Sequence, residues 1–190
     1  MKLRAAVCVG GLLAGVAAAN EPLDRLRVPQ LTLAGTDGKS HRLPEVVAGA
    51  DFTVLIFFAR LCPCVAAHDA RVKQLEAELR GKVQLFFVDS EAGSSLEEDV
   101  KEARARNYLV PILRDDSGAA ARDLGVEFAT GTVIFDRAGR ARYRGGIDTV
   151  ARDVKDDTPF PLRDALLALL AGRAPPDAEP KTFGCYLRRN

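Results

Sequence analysis

Two cysteines separated by a single proline are the residues of this sequence whose types and spacing are best suited to chemistry. Cys62-Pro63-Cys64 follows the apolar run 52–58, whose β-branched and aromatic residues predict a buried strand. An amphipathic pattern over residues 65–80 then predicts a helix that begins at the cysteine pair. The first turn of a helix presents unpaired amide groups and the positive end of the helix dipole, which stabilise a thiolate. The pattern therefore indicates thiol chemistry.

Cys62 is the preferred nucleophile of this turn, and its sulfur is expected to be exposed. Pro63 suits the first helical position and has no backbone N–H. Three roles are open for Cys64: a thiol that resolves a mixed disulfide, a partner of Cys185 across the helix face, or a metal ligand. Cys185 is in the C-terminal tail, which the flexible segment 174–180 could return to the cysteine turn. It would then be either a resolving thiol or one half of a structural disulfide.

A soft-metal site is an alternative use of the same turn. His68 follows Cys64 by four residues, so both side chains can face the same side of the helix. Cys62, Cys64 and His68, joined by Cys185, would suit copper(I) or zinc. A single histidine on a helix is more often a surface residue, so the redox hypothesis is preferred. We expect neither a resident metal nor a cofactor.

Two arginines are possible neighbours of the nucleophilic sulfur. A guanidinium beside a thiol lowers its pKa, and Arg60 and Arg144 are the candidates for that position. A solvated surface position is the simpler expectation for each of them. Asp148 is expected to cap a helix or to hold a loop.

The N-terminus and the composition indicate an exported protein. The chain has 190 residues, enough for one domain with its own core. Lys2 and Arg4 precede an apolar run that ends in three alanines, which is typical of a signal peptide over residues 1–19. Its removal changes the net charge from +1 to −1 and leaves three of the four cysteines. An odd number of cysteines in an oxidising compartment favours a redox or metal role, in the periplasm or after secretion.

The rest of the chain predicts an α/β fold. The predicted elements are, in chain order, an edge hairpin near 28–43, strand 52–58, helix 65–80, strand 83–88, helix 96–108, an extended segment at 110–113, a small helix ending at 124, a hairpin over 132–144 and a helix over 161–170. This order predicts a three-layer sandwich with a central mixed β-sheet and helices on both faces. The basic residues are scattered, so no nucleic-acid partner is expected. No segment after the leader is apolar enough to span a membrane.

The cysteine turn, the segments 132–136 and 143–148, and the terminal Phe183-Gly184-Cys185 together resemble the thioredoxin superfamily. More narrowly, the chain is similar to the exported redoxin group, which is related to alkyl hydroperoxide reductase-like and TlpA-like proteins. The resemblance covers about the whole mature chain. It implies a thioredoxin-like domain over residues 20–173, followed by a Pro-rich linker and cysteine-containing tail over 174–190.

The cysteine spacing and the substrate wall depart from the thioredoxin pattern. Thioredoxins carry the second cysteine where this chain has Val65, and a Cys62–Cys64 disulfide would be strained and easily reduced. The resemblance implies a substrate disulfide bound against Pro63, Thr130 and Gly131. Gly131 occupies the position of the usual cis-proline, and a cis bond before a non-proline residue costs about 2.5–4 kcal/mol, so a trans bond is expected.

The preferred function is thiol–disulfide exchange. Cys62 attacks a disulfide, and Cys64 or Cys185 resolves the mixed disulfide, with electrons from a protein or small-thiol partner. A thiol peroxidase with antioxidant activity is one alternative, although Leu55 and Ala59 stand where peroxiredoxins carry a proline and a threonine before the peroxidatic cysteine. The others are a copper chaperone using the two turn cysteines with His68, and a catalytically silent binding module.

Overall fold

Seven strands form one mixed β-sheet at the centre of the computed structural model, which describes residues 21–188. The predicted leader and Cys8 lie outside the described residues. The strands are β1 (Thr32–Gly35), β2 (Ser40–Arg42), β3 (Phe52–Phe58), β4 (Val83–Asp89), β5 (Ile112–Arg114), β6 (Gly131–Asp136) and β7 (Ala141–Gly146). Their order in the sheet is β2-β1-β5-β4-β3-β6-β7. The predicted α/β fold with a central mixed sheet is confirmed.

In the described part of the chain, five helices connect and cover the strands. They are α1 (Leu43–Ala48), α2 (Pro63–Leu79), α3 (Leu96–Ala105), α4 (Ala119–Asp123) and α5 (Pro161–Leu170). Within residues 21–188, none of these helices has the length and apolar character needed to cross a membrane.

Strand β3 lies in the middle of the sheet, between β4 and β6. Its residues 53–58 are all buried. Because successive side chains of a strand point to opposite faces, burial of every residue means that both faces of the sheet are covered at this strand. The continuous apolar run of β3 has this physical origin.

The topology brings the cysteine turn and the start of β6 to the same edge of the sheet. β3 runs parallel to β4 and antiparallel to β6, so β3 ends where β6 begins. The backbone N–H of Thr130 donates a 2.8 Å hydrogen bond to the carbonyl of Phe57. The loop before β6 therefore lies beside the turn that carries Cys62.

The largest differences between the structure and the predicted elements are at two boundaries. The first strand begins at Thr32 rather than at Val28, because the backbone N–H of Val28 donates to the Gly139 carbonyl in the turn between β6 and β7. Helix α3 ends at Ala105, and Asn107 follows it with a φ of 53°. This left-handed residue ends the helix and turns the Tyr108 hydroxyl toward Asp69 of α2.

Candidate active site

The cysteine turn has the predicted relation to the helix that follows. Cys62 is the N-cap of α2, and Pro63 is its first residue. The backbone N–H of Cys62 donates to the Ala59 carbonyl at 3.1 Å, which closes the turn between β3 and α2. The sulfur of Cys62 is thereby held at the positive end of a 17-residue helix.

The C-terminal tail covers this turn in an extended conformation. Phe128 and Tyr186 form an isolated antiparallel bridge, and their ring centroids are 4.4 Å apart. The backbone N–H of Ala129 donates to the Cys185 carbonyl at 2.9 Å. On the other side of the bridge, the Leu187 N–H donates to the carbonyl of residue 127 at 2.9 Å. The tail thus adds a short strand-like segment to the loop that precedes β6.

Cys62 and Cys185 form a disulfide across 123 residues of sequence. Their Cα atoms are 6.0 Å apart, within the usual range for a disulfide. The sequence leaves the pairing of the three cysteines open, and in the structure Cys185 of the tail is bonded to Cys62 of the turn. The Cys62–Cys64 bond, which the short spacing would strain, is not formed.

Cys64 is the free cysteine of the described residues, and it is buried. Its Sγ lies 3.9 Å from the Sγ of Cys185, and the three sulfurs all lie within 4.8 Å of one another. Cys62 is 4% exposed and Cys64 is 6% exposed, whereas Cys185 is partly exposed. The expectation of an exposed sulfur at position 62 is wrong for this state, because the tail covers it. Cys185 is the most exposed of the three.

His68 lies inside the protein rather than on the surface, contrary to expectation. Its Nδ1 is 2.6 Å from the Cys64 carbonyl oxygen, and its Nε2 is 2.8 Å from Oδ1 of Asp148. A carbonyl and an ionised carboxylate only accept hydrogen bonds, so the doubly protonated ring is the form that satisfies both contacts. Both nitrogens are thereby directed at oxygen atoms, and His68 does not join the group of sulfurs.

The pKa of His68 follows from this environment. Burial by itself lowers the pKa, but the hydrogen bonds to Asp148 and to the Cys64 carbonyl outweigh it, so the pKa of His68 is raised above its usual value. Asp148 also accepts a bond from the Val150 N–H at 2.9 Å, so it holds a loop as expected. Arg71 lies 4.0 Å from the same carboxylate.

The two arginines proposed as neighbours of the sulfur pair with carboxylates instead. Arg60 contacts Glu98 at 2.9 Å, and Arg144 contacts Glu179 at 2.6 Å. Each guanidinium is therefore engaged in an ion pair, and both arginine side chains are partly buried rather than fully solvated.

The residues predicted to bind substrate line the wall that the tail now occupies. Thr130 has a φ of 75°, and its hydroxyl donates to the Phe183 carbonyl at 2.8 Å. Gly131 has no space for a side chain, because a Cβ there would lie 2.5 Å from a methyl group of Val126. All peptide bonds in residues 21–188 are trans, as predicted for the bond before Gly131.

Sequence reasoning did not anticipate the pairing of His68 with Asp148 or the path of the tail backbone. His68 and Asp148 come from α2 and from the segment after β7, so no local spacing connects them. One sequence feature could have indicated the path of the tail, namely the glycine in Phe183-Gly184-Cys185. Only glycine fits at position 184, because any Cβ there would overlap the Ala129 carbonyl.

Comparison with solved structures supports the thioredoxin-like fold. A hypothetical protein from Sinorhizobium meliloti 1021 superposes with a TM-score of 0.80 at 22% identity, covering 90% of this chain and 97% of that one. An uncharacterised conserved protein from Geobacillus kaustophilus gives 0.79 at 27% identity, covering 89% and 93%. A secreted disulfide oxidoreductase from Mycobacterium tuberculosis gives 0.51 at 17% identity, covering 59% and 80%.

No curated protein sequence matches the chain at a significant level. The family model described as Redoxin matches residues 24–156, which include the cysteine turn, the loop before β6 and the buried Asp148. Since the match spans well over half of the sequence, and the fold and the helix-capping cysteine agree with it, the chain belongs to the Redoxin family.

Proposed function

We propose that this protein is an exported thiol–disulfide oxidoreductase whose redox-active pair is Cys62 and Cys185. The observation that carries the proposal is the disulfide between a cysteine at the N-terminus of α2 and a cysteine on the tail. The apolar N-terminal run after Lys2 and Arg4 supports export. The likeness to a secreted disulfide oxidoreductase agrees with both parts of the proposal.

The reduced protein acts through the Cys62 thiolate. The thiolate attacks one sulfur of a partner disulfide, so a Cys62–partner bond forms and the second partner sulfur leaves as a thiolate. The Cys185 thiolate then attacks the Sγ of Cys62, which releases the first partner sulfur and restores the Cys62–Cys185 disulfide. Two electrons pass from the protein to the partner, and the two protons of the cysteine thiols end on the partner thiols.

The oxidised protein is reduced again by an external thiol that attacks the disulfide at Cys185. Cys185 is more exposed than Cys62, so its sulfur is the one that an external thiolate reaches first. Attack there expels Cys62, whose thiolate is stabilised by the helix N-terminus, and a stabilised leaving thiolate speeds exchange. A second external thiol completes the reduction. The electron donor is a protein or small thiol, because the cysteines themselves are the only redox groups that this cycle uses.

A trapping experiment tests the proposal. All variants carry Cys8→Ser, so that the three remaining cysteines are the only thiols. Reduced protein is mixed with a peptide disulfide, and the products are alkylated and mapped by mass spectrometry. Cys185→Ser should accumulate a mixed disulfide on Cys62, while Cys62→Ser should lose at least about 99% of the exchange rate.

Cys64→Ser is the matched control, because it removes a neighbouring buried sulfur and leaves the proposed pair intact. It should retain most of the exchange rate. Exchange that survives in Cys62→Ser, or a mixed disulfide that forms on Cys64 instead, would contradict the assignment of Cys62 as nucleophile.

A further inference from the structure

The third sulfur of the site has no part in the proposed exchange. Cys64 is buried and unpaired, yet its Sγ stands 3.9 Å from that of Cys185. The proposed exchange therefore leaves the position of this sulfur beside the disulfide without a role.

An internal disulfide exchange does not fit the arrangement of the three sulfurs. For Cys64 to displace Cys62 from Cys185, the attacking and leaving sulfurs must lie nearly in line. With an ordinary S–S bond, a line through a 3.9 Å contact would place the outer two sulfurs about 6 Å apart. All three sulfurs lie within 4.8 Å of one another, so they form a compact triangle instead.

A triangle of three thiolates is the arrangement that a soft cation requires. Metal–thiolate bonds are about 2.3 Å long, which places the sulfurs of a planar three-coordinate site about 4.0 Å apart. The separation of Cys64 and Cys185 is 3.9 Å. Once the disulfide is reduced, the sulfurs of Cys62 and Cys185 have to move apart to complete the triangle.

From this juxtaposition we infer that the reduced protein binds one copper(I) ion through Cys62, Cys64 and Cys185. Thiolates are soft ligands that select copper(I) over harder cations. Among the described residues, the close group of metal-ligating atoms contains three sulfurs and no nitrogen or carboxylate oxygen. Three coordination suits copper(I), whereas zinc in structural sites takes four protein ligands. The site does not rest on the proposed oxidoreductase activity.

Burial and the helix dipole favour the bound state. Cys62 and Cys64 are buried, so the ion would be shielded from water and oxidants. Cys62 caps α2 and Cys64 is in its first turn, so the positive end of the helix dipole offsets part of the negative charge of the thiolates. The ion and the disulfide exclude each other, because both use Cys62 and Cys185. Copper(I) would thus hold the tail in place in the reduced protein.

Anaerobic titration of the reduced full-length chain tests this site. In the Cys8→Ser background, copper(I) is titrated against a chromophoric copper(I) chelator. We expect one ion per chain, none in the oxidised protein, and an affinity lowered by more than about 100-fold in Cys64→Ser, since loss of a ligand should exceed the roughly 10–100-fold cost of losing an outer partner. A Cys64→Ser affinity equal to that of the parent would overturn the site, as would displacement of the copper by equimolar zinc.

X-ray absorption of the copper-loaded protein identifies the ligands without a variant that has to fold. Three sulfur scatterers at about 2.3 Å and no imidazole are expected. An imidazole in the spectrum would overturn the three-sulfur site in favour of one that includes His68. Cys64→Ser separates the two proposals, because it should abolish tight copper binding while exchange with a peptide disulfide continues.

Discussion

Gly184 packs directly against the backbone of Ala129, and a Cβ on Gly184 would overlap the Ala129 carbonyl oxygen. No side chain can be accommodated there, and the obstacle is backbone rather than a movable side chain. The next residue is Cys185, whose carbonyl accepts a hydrogen bond from the Ala129 N–H. The absence of a side chain at residue 184 therefore decides whether Cys185 can reach Cys62.

Gly184→Ala should loosen the tail. We expect the Cys62–Cys185 disulfide to be reduced by a small thiol about tenfold faster, which corresponds to about 1.4 kcal/mol of lost docking free energy. Timed alkylation followed by mass spectrometry measures the rate. Arg173→Ala, which shortens an exposed side chain just before the tail, is the control and should react like the parent. A parental rate in Gly184→Ala would show that the contact does not hold the tail.

The Thr130 hydroxyl allows a second test of how the tail is held, because it donates a hydrogen bond to the Phe183 carbonyl. Thr130→Val keeps the shape of the side chain and removes the donor, which leaves that carbonyl without its partner. A net loss of about 1 kcal/mol predicts roughly fivefold faster reduction of the disulfide. Thr130→Ser keeps the hydroxyl and should stay close to the parental rate in the same assay. Equal rates in the two variants would exclude a role for this hydrogen bond.

Local patterns predicted the elements well, whereas contacts between distant segments were not predictable. Helix α5 has the predicted bounds, since a proline begins it and Gly172 follows its end. The burial of His68 depends on Asp148, which reaches it from another element. Likewise, the choice of Cys185 over Cys64 as partner of Cys62 depends on the path of the tail. Sequence periodicity predicts neither the His68–Asp148 contact nor the path of the tail.

The His68–Asp148 pair predicts a pH-dependent contribution to stability. The pKa of His68 is raised in the folded protein, so the pair stabilises the fold fully below the unfolded value of about 6.5 and loses this effect as the pH rises through the folded value. Asp148→Asn leaves the buried imidazolium without its counter-charge. We expect a loss of about 3 kcal/mol in the free energy of unfolding at pH 5.5, and a smaller loss at alkaline pH.

Two measurements check this prediction. Denaturant unfolding of the parent and of Asp148→Asn across a pH series gives the difference in free energy. NMR titration of the two histidine rings of the chain should show a lower pKa for His68 in the variant, with His41 as the internal reference. A difference in unfolding free energy that is independent of pH would mean that His68 is not charged in the folded protein.

A second buried cluster predicts a pH-dependent stability in which burial itself raises the pKa. Asp99 of α3 and Asp89 at the end of β4 are both fully buried near Arg114, whose Nη1 lies 3.1 Å from Oδ2 of Asp89. Burial, together with the hydrogen bond and the charge of Asp89, raises the pKa of Asp99 to about 8. The nearby guanidinium of Arg114 already contacts Asp89, and Asp99 therefore keeps its proton at neutral pH.

Removing the titrating proton of Asp99 should flatten the dependence of stability on pH. The folded protein holds a proton that the unfolded chain releases near pH 3.8, so the free energy of unfolding falls as the pH rises from about 4 to about 8. Asp99→Asn remains neutral and keeps a donor toward Asp89. It should therefore match the parent near pH 4.5 and exceed it by on the order of 4 kcal/mol at pH 8.5.

Chemical denaturation at these two pH values checks the prediction, with Asp157→Asn as the control at an exposed position. The control should follow the parent at both pH values, because its carboxylate is solvated in the folded and unfolded chain alike. If Asp99→Asn were instead less stable than the parent at pH 8.5, the pKa of Asp99 would not be raised in the folded protein. Its carboxylate would then take part in the ion pair of Arg114.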